Sequence, residues 1–171
     1  VLEKENVHIV FERDAYGRTL KRAFEGAAGD LDLAVKNVWG IDSLNADKET
    51  RLEKIADRLA TDADPDAALY VALLDQEAAG LVKMLKDRGV DIPILGGDSL
   101  GLGSFPNEFE GVKSGDNSVG DYTDGIYATT YFIRDIANRK AQKFSQKFIN
   151  EYGREPDALA ATHYDAASIV F

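Results

Sequence analysis

The chain has 171 residues, 44% of them hydrophobic, which is enough to bury a substantial core and suits one domain better than two. Twenty basic residues against 30 acidic ones leave a net charge of −10, which argues against a nucleic-acid-binding surface and against docking on anionic lipid. Cysteine is absent, which excludes a disulfide framework and a thiolate metal site; apolar runs fall far short of the ~20 residues a membrane-spanning helix needs.

In chain order, Val7–Phe11 (VHIVF) is a short β-branched run, and Tyr16–Ala28 places Leu20, Phe24 and Ala27 on one side at helical spacing. Leu33–Trp39 repeats the strand, and a helix follows with Asp47 as its expected N-cap and Leu52, Ile55, Ala56 and Leu59 on one face. Ala67–Leu74 is almost continuously apolar, as a parallel strand covered on both faces must be. Glu77–Arg88 returns to helical spacing and stops at Gly89. Ile92–Leu95 is the fourth strand and Gly125–Phe132 (GIYATTYF) the fifth. The intervening Ser99–Asp124 is rich in Gly, Ser, Asn and Asp and long for a connection, hence expected to be functional or mobile. Asp135–Tyr152 predicts an amphipathic helix with Ala141, Phe144, Phe148 and Tyr152 in register, and a last helical segment runs from Pro156 to the apolar end at Phe171. That end and the abrupt start suggest a piece of a larger protein.

Strands alternating with helices imply right-handed crossovers and an open three-layer α/β sandwich with a five-stranded, mainly parallel sheet. Ligands in such folds lie beyond the carboxyl ends of the strands, near the point where strand order reverses. This selects Glu12–Tyr16, Leu74–Glu77, Gly96–Ser99 and Thr129–Tyr131 as the rim to examine.

Gly97-Asp98-Ser99-Leu100-Gly101 spells both the four letters of an esterase family and the nucleophile-elbow pattern. A serine nucleophile needs a base and a group that orients it. The two histidines are His8, inside the first strand, and His163, whose neighbour three residues back is Ala160 rather than the acid that family requires. Ser99 therefore reads as a loop residue, and no catalytic group is assigned. The glycines at 96, 97, 101 and 103 form no dinucleotide or phosphate cradle, so no cofactor is expected. Asp62, Asp64 and Asp66 alternate as in a calcium loop but lack the distal glutamate, which leaves a solvated turn and no metal site.

Four stretches in order, VHIVFERDAYGRTLKRAFEGAA, PDAALYVALLDQEAAGLVKMLKDRGVDIPILGGD, GIYATTYF and KFSQKFINEYGREPDALAATHYDAA, resemble the second lobe of type I periplasmic binding proteins. The relevant branch is that of the branched-chain amino-acid binding proteins and related receptor ligand-binding regions. The resemblance implies that residues 1–171 are a single α/β lobe of a two-lobed clamshell. It implies no enzymatic activity, a small solute between the lobes, a membrane permease or signalling partner, no direct membrane insertion, and a periplasmic or extracellular location. Tyr16 takes the position of an aromatic that covers the ligand, and Asp98 that of a carboxylate that holds a ligand ammonium. Leu74 stands where the family often has another aromatic, a departure that opens the identity of the solute. Ser99, Thr130 and Tyr131 complete the expected lining. The alternatives are an extracellular sensor of a signalling receptor, the effector domain of a repressor, and a hydrolase acting through Ser99.

Overall fold

The structure, a computed structural model, describes residues 2–112 and 122–170. Two compact units make up the chain, Val1–Ala128 and Thr129–Phe171.

The first unit is an α/β sandwich. In chain order it contains β1 (Asn6–Glu12), α1 (Ala15–Asp30), β2 (Ala34–Ile41), α2 (Lys48–Asp62), β3 (Ala67–Ala72), α3 (Asp75–Asp87) and β4 (Ile94–Gly96). A 3₁₀ turn (Asp98–Gly101), the single-turn helix α4 (Ser104–Asn107) and β5 (Ile126–Ala128) complete it. All four strand pairings are parallel, in the order β2-β1-β3-β4-β5. The chain steps from β1 outward to β2, then returns to place β3 on β1's other side. Right-handed crossovers then require α1 and α2 to lie on opposite faces.

The packing follows that topology. Val10, Leu69, Val71 and Leu73 face α2 and α3, meeting Leu52, Ile55, Leu59, Leu81, Val82 and Leu85 in the larger core. Val7, Ile9, Tyr70 and Ala72 face α1, where Leu20 and Phe24 cover them. The rings of Phe24 and Tyr70 stack with centroids 3.9 Å apart. β3 is buried at all six positions, as a central strand covered on both faces must be. His8 is buried in β1 on the α2 side, stacked on Trp39 with its Nδ1 3.0 Å from the Asn37 amide.

Several expectations need correction. Ser99–Asp124, expected to be functional or mobile, lies outside the described residues at 113–121, and its described part is packed rather than open. It contains the 3₁₀ turn and α4, and Phe105, Phe109 and Tyr122 from it are among the largest fully buried side chains. Phe109 stacks on Tyr122, whose hydroxyl donates to Asp87 Oδ1. The fifth strand ends at Ala128, well before Phe132. Asp47 stands before α2 as expected but makes no capping bond, because its backbone (φ −91°, ψ 5°) is not extended. The acidic turn at 62–66 is largely exposed, as expected, and is held by Asp64, which accepts from Asn6 Nδ2 and from the Asp66 N–H. No cluster of metal ligands occurs among the described residues.

The second unit opens with a 3₁₀ turn (Arg134–Ile136) where a helix is expected from Asp135. Its helix α5 (Arg139–Tyr152) starts instead after Asn138, whose side chain accepts from Ala141 N–H, and ends at Gly153 in the left-handed region (φ 67°). Phe144, Phe148 and Tyr152 form a run of ring contacts along α5, and Tyr164 from α6 (Ala158–Val170) joins it at Phe144. No helix among the described residues is long and apolar enough to cross a membrane.

Candidate functional site

The rim beyond the carboxyl ends of β1, β3 and β4 is assembled by three tight strand–helix turns. After β1, Asp14 caps α1 by accepting from Gly17 N–H at 2.7 Å, which places Tyr16 in the first helical turn. Gly17 makes this turn possible, since a Cβ there would stand 2.2 Å from the Glu12 carbonyl oxygen. After β4, Gly96 and Gly97 carry the chain off the strand. A Cβ on Gly96 would meet Leu100, and one on Gly97 would stand 2.7 Å from Leu20 Cδ1 and 3.1 Å from the Tyr16 hydroxyl. Asp98 and Ser99 then open the 3₁₀ turn. After β3, Leu73 and Leu74 lead into α3.

These turns bring three of the expected residues into contact. The Tyr16 hydroxyl lies 2.9 Å from Asp98 Oδ1 and 3.1 Å from Ser99 Oγ, and Ser99 Oγ lies 2.9 Å from the Leu73 carbonyl. An ionised Asp98 brings no proton, so two hydroxyl protons serve three contacts. The two shorter contacts take them: Tyr16 donates to Asp98, and Ser99 to Leu73. Burial raises the Tyr16 phenol above the ordinary tyrosine value, with opposing hydrogen bonds to Ser99 and Asp98 adding smaller effects. Asp98 takes part in no ion pair among the described residues. It is thus a half-buried carboxylate steadied by a phenol and without a cation.

Leu74 follows the carbonyl that anchors Ser99 and is 48% exposed. Thr130 and Tyr131 fall in the second unit. Thr130 Oγ1 bonds locally to the Phe132 backbone, and Tyr131 is exposed. Ser99 is 5% exposed, and its hydroxyl is held by Leu73 and Tyr16, with no imidazole among its partners. That surrounding is unlike a nucleophile's, which needs a base in contact.

Glu12, Glu77 and Gly97 fall within the rim ranges selected from the sequence, but their roles are seen only in the structure. Glu12 ends β1 buried and accepts from Ser43 N–H at 3.0 Å, tying down the β2–α2 connection. Glu77, also buried, accepts from Lys48 Nζ at 2.8 Å. For Glu12 a signal exists: it continues the alternation of His8 and Val10 on the α2 side of β1. Leu20 and Gly97 form the wall beneath the Tyr16 hydroxyl, a role only the folded geometry exposes.

Solved structures with this architecture decide the fold. The branched-chain amino-acid transporter substrate-binding protein LivJ from Streptococcus pneumoniae, in complex with isoleucine, superposes with a TM-score of 0.78 at 20% identity, over 99% of this chain and 44% of that one. The fold is that of one lobe of a type I periplasmic binding protein. Two other such proteins are similar to this lobe. The leucine-binding protein LivK from Thermotoga maritima gives a TM-score of 0.75 at 25% identity, over 96% of this chain and 43% of that one. An ABC transporter solute-binding protein from R. palustris, in complex with benzoate, gives 0.76 at 19% identity, over 96% and 41%. The chain therefore spans about two fifths of the length of these structures. No family model and no curated protein sequence matches it.

Proposed function

We propose that the chain is a non-enzymatic solute-binding lobe, one half of a two-lobed substrate-binding protein of an ATP-driven importer of the branched-chain amino-acid type. The observation that carries this is the Tyr16–Asp98–Ser99 cluster at the carboxyl rim of a parallel sheet with the type I lobe fold. In this reading the solute bears an ammonium or similar cation. An unpaired, half-buried carboxylate offers it a charge-assisted hydrogen bond, and Tyr16 both orients that carboxylate and covers the solute. Leu74 supplies an exposed apolar contact and Ser99 anchors the turn.

Closure of two lobes on the solute shifts an open–closed equilibrium, and the closed form is what a membrane permease distinguishes. The work of such a protein lies outside the cytoplasm, in the periplasm or at the cell surface. The test is calorimetry of the whole two-lobed protein against a panel of amino acids and small carboxylic acids, with Asp98→Ala beside the parent. The expected result is an amine-bearing ligand whose affinity falls about tenfold or more in the variant. An amine ligand bound equally well by both proteins removes Asp98 from the site, and binding of carboxylic acids alone removes the cationic solute.

A further inference from the structure

The chain carries a net charge of −10, yet one edge of its sheet is basic. β2 ends the strand order and pairs only with β1 among the described residues, and its Ala34, Val35, Lys36 and Val38 are exposed. On the α1 side of this edge lies a groove of about 340 Å³ lined by Phe11, Arg13, Arg18, Lys21 and Arg22. On the α2 side a cavity of about 430 Å³ has Trp39 and Ile55 in its wall and Arg13, Arg51 and Lys54 around it. Among the described residues, Asp47 is the one carboxylate lining either space. Arg13 belongs to both because it lies across the edge strand: a Cβ on Gly40 would stand 2.6 Å from its Nε. Lys21 pairs with Glu25 at 2.7 Å and Arg51 with Asp47 at 3.9 Å. Arg13, Arg18, Arg22 and Lys54 take part in no ion pair among the described residues.

An edge strand presents unpaired N–H and C=O groups to any extended chain that can lie beside it. An added strand sends successive side chains to opposite faces. On β2 those faces lead to the α1-side groove and the α2-side cavity, and both are suited to the same charge. We propose that β2 is a docking edge for an extended acidic segment of a partner protein, which pairs its backbone with β2 and sets carboxylates alternately into the two basic spaces. Charge complementarity selects this occupant over a second copy of the chain, whose own edge would bring Lys36 and its neighbouring cations against identical ones. The proposal is independent of the solute site and stands or falls without it.

The test is fluorescence anisotropy of a fluorescein-labelled peptide of repeating Glu-Glu-Thr-Thr, matched to the eight residues of β2, whose adjacent glutamates point to opposite faces. Trp39 is the single tryptophan, so its emission gives a second readout from the α2-side cavity. Saturable binding that weakens with salt, a change in Trp39 emission and no binding of a Lys–Thr peptide are expected. Arg13→Glu with Arg22→Glu should weaken binding by about tenfold or more. Arg22→Glu alone, at an exposed helix position, should give a smaller loss in the same direction and serves if the double variant does not fold. N-methylation of alternate peptide amides blocks the ladder and should also cost about tenfold. The proposal is overturned if the Glu–Thr peptide does not bind, if the N-methylated peptide binds equally well, or if the charge reversals have no effect. It is also overturned if a single-stranded oligonucleotide binds more tightly than the peptide and loses that binding in the same variants, since the edge would then read phosphate.

Discussion

Gly17→Ala separates helix propensity from packing, because the two predict opposite signs. Gly17 lies in the first turns of α1, where replacing glycine by alanine would by intrinsic preference alone stabilise the helix by up to about 1 kcal/mol. The structure forbids that gain. A Cβ at Gly17 would stand 2.2 Å from the Glu12 carbonyl oxygen, 2.6 Å from its nitrogen and 2.9 Å from its carbonyl carbon. All three are backbone atoms of β1, a strand hydrogen-bonded on both sides, so no side chain can rotate away. Relief requires α1 to lift from the sheet by the better part of an ångström, loosening Leu20 and Phe24 from the smaller core. Overpacking of this kind costs about 2–3 kcal/mol where only backbone can give way, so with about 1 kcal/mol regained from propensity the net effect is a loss of about 1–2 kcal/mol. In a chain of this size that lowers Tm by roughly 2–8 °C.

Urea denaturation followed by circular dichroism measures the loss, with Gly26→Ala as the control. Gly26 is exposed further along the same helix, an added Cβ there would meet nothing within 4 Å, and its replacement should stabilise by about 0.5–1 kcal/mol. Because Tyr16 precedes Gly17, the lifted helix should also draw the phenol from Asp98. A Gly17→Ala protein as stable as the parent would refute the close approach of α1 to β1 and the placement of Tyr16 that depends on it.

The remaining predictions concern the cluster and the buried titratable groups. Ser99→Ala leaves the buried Leu73 carbonyl without its hydroxyl donor and should cost about 1–2 kcal/mol in chemical denaturation, while ester-cleaving activity stays at the solvent background in parent and variant alike. Burial raises the phenols of both Tyr16 and Tyr70 above 10.0. The stability they contribute is therefore whole below pH 10.0 and lost as pH climbs through their raised values. Tyr16→Phe should flatten that alkaline decline, which equilibrium unfolding at a series of pH values would measure. His8 has the opposite sign: burial lowers its value below 6.5, against the attraction of Asp62 and Asp64, so its contribution is present above pH 6.5 and lost as pH falls through the depressed value. The stability difference between the parent and His8→Leu should narrow on acidification from pH 6.5, and a constant difference would show that His8 does not titrate as a buried imidazole.

Most of the framework is legible because each element carries its period. Ala67–Leu74 reads as a strand buried on both faces and is one over Ala67–Ala72, and Leu52, Ile55, Ala56 and Leu59 are all buried on α2 as their spacing requires. The connection after β4 misleads because Gly, Ser and Asn dominate its composition, while the residues that decide its packing are three separated aromatics, Phe105, Phe109 and Tyr122. The fifth strand reads too long because apolar residues continue past Ala128, although the sheet pairing does not. At the site, family resemblance points to Tyr16 and Asp98 separately. Their hydrogen bond joins residues 82 positions apart and depends on two glycine turns, a juxtaposition that no local pattern encodes.

The wholly apolar β3 has a cost when the chain is not folded. Ala67–Ala72 offers six consecutive residues with no charge and no proline, the composition that lets unfolded copies stack on one another. Asp64, Pro65 and Asp66 stand immediately before it, and Asp75 and Glu77 soon after. These neighbours keep the segment repelled from its own kind in the nascent chain until β1 and β4 enclose it. The acidity of the sequence thus acts as a solubilising guard during synthesis, at the strand the finished sheet most needs.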